Sequence, residues 1–145
     1  MRPSRENLYL VARLALGGVF LYAGCVKISD PSAFAGEIAA YRLLPYFGNY
    51  LAAAIFPWLE ALCGLLLIVG IRTRAAAGII IGLTAVFMAA LASTLIRGLD
   101  IDCGCFRHGG KKTSAWIALG RDVLLFAAAL VTYRNSVRKR GRGAL

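Results

Sequence analysis

The chain sets two thiols a single glycine apart, Cys103-Gly104-Cys105. Sulfurs this near can exchange two electrons as disulfide and dithiol, or share a soft metal ion. Gly104 has no Cβ, so the backbone between the thiols can bend enough to bring them together. A permanent staple here would stabilise little, because ring closure restricts the unfolded chain more when the loop is long. Strained, exposed disulfides are instead the easily reduced ones. The pattern therefore predicts a redox-active pair. Arg107, Lys111, Lys112 and a protonated His108 would favour a thiolate, and Asp100 and Asp102 would oppose it. The competing chemistry is metal binding. Cys103, Cys105 and His108 form a Cys-x-Cys-x-x-His cluster suited to zinc, copper or another soft cation, with a fourth ligand left to Cys25, Asp100, Asp102 or water. A third reading is a non-catalytic assembly factor whose cysteines only fix the loop.

Other residues extend the chemistry. Cys25 falls near the end of the first apolar block and is a candidate resolving thiol, whereas Cys63 lies deep in the second, where cysteine behaves as a small apolar side chain. Ionised groups in hydrocarbon persist when paired or functional. Glu60, in the middle of the second block, and Arg121 and Asp122, a third of the way into the fourth, are such groups, with Arg121 expected to reach toward Glu60. Arg13, near the start of the first block, can snorkel to the boundary. The polar cluster is either a structural ion pair or a site for protons or a quinone. Oxidising a dithiol releases two protons and two electrons, and a quinone accepts both.

The elements that must hold these residues are membrane helices. Of 145 residues 59% are apolar, and the mean hydropathy is +0.69, too apolar for a soluble domain. Four blocks, approximately 8–28, 49–70, 75–96 and 114–133, are each long enough to cross a bilayer. The expected fold is an all-α four-helix transmembrane bundle occupying residues 1–145 as one membrane domain. The net charge of +10 is spread between and after the blocks, which excludes a nucleic-acid stripe and fits membrane orientation. With four spans both termini share a side. That side carries nine Lys and Arg (residues 2, 5, 72, 74, 134, 138, 139, 140 and 142), against six on the other (Lys27, Arg42, Arg97, Arg107, Lys111 and Lys112). The bias predicts cytoplasmic termini in a bacterial inner membrane and a periplasmic Cys103–Cys105 loop, in a compartment where disulfides persist. Tyr22-Ala23-Gly24-Cys25 is similar to the end of a lipoprotein signal, but the block is long for one and three more follow.

Between the spans, Ser29-Asp30-Pro31 offers a cap and a first-turn proline, predicting a short interfacial helix over 31–44 that stops at Pro45. Its apolar positions are Phe34, Ile38, Tyr41 and Leu44. Tyr46, Phe47, Tyr50, Phe56 and Trp58 suit the headgroup level. Ile71-Arg72-Thr73-Arg74 predicts a tight turn, and Gly78 and Gly82 a close helix approach. The tail over 134–145, with Arg138-Lys139-Arg140-Gly141-Arg142, is expected to be a disordered anchor near anionic lipid.

Taken in order, Ala23-Gly24-Cys25-Val26-Lys27-Ile28 with Asp30-Pro31, Tyr41-Arg42-Leu43-Leu44-Pro45, Pro57-Trp58-Leu59-Glu60, Gly98 to Phe106, and Gly120-Arg121-Asp122 resemble the MauE branch of the DoxX-like membrane proteins. The resemblance implies a four-helix bundle and a redox-associated role outside the inner membrane, including maturation of the disulfide-rich small subunit of methylamine dehydrogenase. It also implies a periplasmic thioredoxin-like partner or a disulfide-containing client. Carried onto this chain it makes Cys103 and Cys105 the functional cysteines, with Glu60, Arg121 and Asp122 as matching polar positions. The chain departs from the pattern at Arg107, where a glycine is usual, and Cys25 and Cys63 are not part of it.

Overall fold

A computed structural model describes residues 3–98 and 115–143, and there the chain is helical with short turns. Five helices follow in order: α1 Pro3–Ser29, α2 Pro31–Ala40, α3 Tyr46–Val69, α4 Thr73–Ile96 and α5 Ala115–Gly143. Four of them contain apolar stretches long enough to span a bilayer, over Glu6–Ser29, Tyr46–Val69, Thr73–Ile96 and Trp116–Arg138. Among the described residues α1 packs on α3 and α5, and α4 packs on α3 and α5, while the backbones of the diagonal pairs stay apart. The four long helices therefore ring a central axis. Leucine, valine, isoleucine and aromatic side chains stay exposed around the outside, as a lipid-facing surface requires.

The α1–α3 seam is made by small residues. A Cβ on Gly64 would lie 2.5 Å from the Leu21 nitrogen and 2.6 Å from the Gly17 oxygen, and one on Gly24 would lie 2.6 Å from the Ala61 nitrogen. Gly17 and Gly24 are seven apart, as are Pro57 and Gly64, so each set lies on one helix face. Backbones that approach this closely gain dispersion contacts in lipid, where burial of apolar groups offers no net advantage. The expected approach at Gly78 and Gly82 is not the one formed: Gly82 has open space beside it, and Gly78 would meet only the Tyr133 ring at 3.7 Å.

The chain turns from α3 to α4 through Gly70 and Arg72, both left-handed (φ 85° and 48°), and α4 begins at Thr73. Toward the α3–α4 turn the core is apolar, with Leu16, Cys63, Leu67, Ala77, Ile80 and Ala129 buried together. Cys63 thus packs as expected. Arg13 sits beside the α3 terminus, its guanidinium 5.9 Å from the Tyr9 ring centre and against Gly70. That is the snorkelled position, near exposed carbonyls at a negative helix end.

Two boundaries differ from expectation. The short helix ends at Ala40, not near 44, because Arg42 turns left-handed (φ 52°) and Pro45 disfavours helix at the residue before it. Asp30 caps its start by accepting from the Ala33 N–H at 3.0 Å, and Phe34, Ala35 and Ile38 bury onto Ala52, Ala53, Phe56 and Phe87. It lies across the end of the bundle. The basic tail is likewise not an unstructured appendage: α5 continues to Gly143. Residues 134–140 contain no glycine or proline, and lysine and arginine are good helix formers.

Candidate functional site

The segment carrying Cys103, Cys105 and His108 lies outside the described residues. Its first support is visible. Arg97, the residue that ends α4, donates from its guanidinium to the Tyr41 carbonyl at the end of α2, while Tyr41, Leu91 and Ala118 bury together. The end of α4 and the start of α5 therefore both lie beside the end of α2. Cys25 is exposed one turn from the end of α1, because its neighbour Gly24 takes the face that meets α3.

Beneath α2 the structure gathers the charged residues of the spans. Lys27 donates to both carboxylate oxygens of Glu60, at 2.9 and 2.8 Å. The pair is almost fully enclosed, with 5% and 2% exposure. Lys27 follows Gly24 by three residues and Glu60 precedes Gly64 by four, so both project from the small-residue seam just beyond the point where the backbones are closest. The ammonium also lies 4.7 Å from the Phe34 ring centre and 4.9 Å from that of Phe87, distances at which a ring face attracts a cation. α2 thus contributes an aromatic cover to an ion pair held by α1 and α3.

This corrects the expected pairing, in which Arg121 was to reach toward Glu60. Both oxygens of Glu60 accept from Lys27, while Arg121 donates through Nε and Nη2 to Oδ1 of its own neighbour Asp122, at 3.1 and 2.9 Å. Adjacent residues on a helix point in different directions. The long arginine side chain bends back along α5 to reach a carboxylate that faces the bundle. Lys27 also leaves the tally of outer-side charges, since it belongs to the bundle interior; five remain there against nine on the terminal side.

The two pairs line one small, partly open cleft, with about 30 Å³ of free space. Each of the long helices contributes: Phe20 and Lys27 from α1, Glu60 from α3, Thr84 and Phe87 from α4, and Asp122 from α5. Thr84 is 4% exposed, and its hydroxyl has no partner. The other buried threonines behave differently. Thr94 donates to the Leu91 carbonyl at 2.7 Å and Thr132 to the Ala128 carbonyl at 2.8 Å, the usual way a helix satisfies a hydroxyl in lipid. Lys27 and Thr84 are the functional candidates that residue-by-residue reading missed. Lys27 had a signal, since it shares a helix face with Gly17 and Gly24 and a lone Glu60 in a span needs a cation. Thr84 had none. Among the described residues no group of three histidine, cysteine, aspartate or glutamate side chains could hold a metal ion.

Four lipid-exposed helices around an ionic, partly hollow centre define a multi-pass membrane protein with a polar interior. Residues 5–134 match the family described as Methylamine utilisation protein MauE, and the chain belongs to that family. It is 35% identical over 119 residues to the Methylamine utilization protein MauE of Paracoccus denitrificans, an alignment covering 81% of this chain and 64% of the relative. To the protein of the same name in Paracoccus versutus it is 32% identical over 124 residues, covering 85% and 67%. For the one in Methylorubrum extorquens the figures are 35% over 108 residues, 74% and 58%. The chain thus spans about two thirds or less of the length of these relatives. No solved structure gives a significant match.

Proposed function

We propose that the protein is a membrane thiol–disulfide exchange protein serving methylamine utilisation, with Cys103 and Cys105 as the exchanging pair. The observation that carries the reading is the Cys-Gly-Cys spacing in the segment joining two membrane helices, whose first anchor, Arg97, is tied to α2. A thiolate of the pair attacks a partner disulfide, one partner sulfur leaves as thiolate, and the second thiol displaces the other. The pair is then oxidised and the partner reduced by two electrons, and the reverse sequence oxidises a partner dithiol. Cys25, exposed near the same end of the bundle, is the candidate third thiol.

The partner is a periplasmic thioredoxin-like protein or a disulfide-containing client, of which the small subunit of methylamine dehydrogenase is the candidate suggested by the family's name and chemistry. The charge bias of nine against five supports cytoplasmic termini and an outward loop in a bacterial inner membrane. Replacing one cysteine should arrest the exchange. Cys105→Ser should accumulate a mixed disulfide between Cys103 and a periplasmic protein, seen as a reductant-sensitive adduct on non-reducing gels. A Cys103→Ser, Cys105→Ser double variant should lose it. Absence of an adduct in both single variants contradicts the reading.

A further inference from the structure

We propose that the α3–α4 turn and the adjoining face of α1 bind the phosphate of an anionic phospholipid. The site centres on Arg13, seven residues into the first span, about 10 Å along the helix. Deeper in the bundle Lys27 is matched by Glu60 and Arg121 by Asp122. Arg13 has no such match: among the described residues it forms no ion pair, and its Nε is enclosed without an acceptor. The sequence places no carboxylate to serve it. No acidic residue lies between Glu60 and Asp100 or after Asp122, and Glu6, two turns earlier on α1, is the only one before Asp30. The α3 terminus beside Arg13 carries the equivalent of about half a negative charge, and the start of α4, three residues beyond Gly70, about half a positive one. The two helix ends offset one another, so the arginine charge remains. A cation held in a span without a protein partner is completed by an anion from outside the chain.

The turn fixes where that charge sits. A Cβ on Gly70 would lie 2.9 Å from Nη1 of Arg13, so the guanidinium settles against the bare backbone of the turn. Gly70 follows Val69, the last residue of its span, which sets the guanidinium at the membrane boundary, the level of lipid phosphates. Two residues on, Arg72 is exposed, and α4 begins at Thr73 without a side-chain cap. The first N–H groups of α4 are therefore open to an acceptor. A guanidinium meets two phosphate oxygens at once, and Arg13, Arg72 and the first turn of α4 supply donors to one phosphodiester. Leu14 and Ile71, next in sequence to Arg13 and Gly70, are exposed, which provides apolar surface for acyl chains. A free phosphate would leave that surface unused.

The site stands apart from thiol exchange and is tested without it. The full chain is purified in detergent, stripped of lipid and titrated with dioleoylphosphatidylglycerol, bound lipid being counted by native mass spectrometry. One molecule per chain should bind about tenfold or more tightly than dioleoylphosphatidylcholine. Arg13→Gln and Arg72→Gln should each weaken it by about tenfold, the loss of a charged hydrogen bond. Arg13→Lys, which keeps the charge but not the planar fork, should fall between and serves where Arg13→Gln does not fold. Arg138→Gln removes a charge from α5 at the same end of the bundle and should leave the affinity unchanged. Absence of saturable binding, or equal affinity for the two lipids, overturns the proposal. So do folded Arg13 and Arg72 variants that bind as tightly as their parent, and a loss in Arg138→Gln as large as theirs, which would mean that attraction follows total charge. Displacement of the lipid by inorganic phosphate at matched concentration also overturns it, because the site would then belong to a free anion.

Discussion

The two halves of the bundle solve the problem of packing in lipid in opposite ways. Toward the α3–α4 turn, the interior is closed by Leu16, Leu67, Ala77, Ile80 and Ala129. Toward α2, the same four helices enclose two ion pairs, a hydroxyl without a partner and open space. Dispersion between close-packed apolar side chains dominates the first half, with Arg13 and Arg74 set over the Tyr9 and Tyr133 rings at its margin. The second sacrifices packing density for charges that must be matched, Lys27 with Glu60 across α1 and α3 and Arg121 with Asp122 within α5, an arrangement a membrane protein retains where those groups fix register or act on something. The apolar half is thus scaffold and the polar half is the candidate site, joined by the glycine seam that runs from Gly17 to Gly24 and then to Lys27.

Substitutions can break this contrast at graded cost. The largest effect belongs to the seam: Gly64→Val forces side-chain atoms onto the backbone of Leu21 and Gly17. It should destabilise by about 3 kcal/mol or more, read as loss of monodisperse protein and a lower melting temperature in detergent. Gly82→Ala, with nothing beside it, should be neutral or stabilising by up to about 1 kcal/mol. Next comes the enclosed pair. Glu60→Ala strands the Lys27 ammonium and should cost about 3–5 kcal/mol, much of it recovered when Lys27→Met is added, because the pair then goes with its desolvation cost. A double-mutant cycle on unfolding midpoints measures this. Asp122→Asn should cost less, about 1 kcal/mol, since Arg121 keeps 29% side-chain exposure and lies within two turns of the start of its span, where a long side chain can snorkel to the boundary. The smallest shift falls at the cleft: Thr84→Val removes only a hydroxyl that bonds nothing and should hold or slightly raise the melting temperature. A clear drop would mean that the hydroxyl is engaged in the folded protein.

The membrane bundle was legible because apolar blocks of bilayer length are a strong signal, and the capping residues Asp30 and Pro31 marked α2 correctly at its start. Its end was less visible. A left-handed Arg42 follows from no local preference, only from the need to lead the chain from α2 into α3. Glu60, Arg121 and Asp122 were recognisable as charges inside spans, and the structure brings all three to one cleft. Their pairing was not recognisable, since it depends on which helices are neighbours. Lys27, counted among the outer-side charges at the end of the first block, lies within the last turn of α1 and on its seam-facing side. Gly78 and Gly82 show the same limit: small-residue spacing announces that a close approach is possible but not which helix will use it. Thr84 looks like any other threonine in a span until its missing partner is seen.

The central claim is that Cys103 and Cys105 change oxidation state on the outer face of the membrane. Intact cells should be treated with a membrane-impermeant maleimide before and after mild reduction, and the labelled chain weighed by mass spectrometry. The account predicts that reduction exposes two new reactive thiols at positions 103 and 105, reached from outside, and that the oxidised fraction rises or falls with the abundance of the partner. Thiols in one fixed state under every condition, or labelled only after the cells are opened, would contradict it.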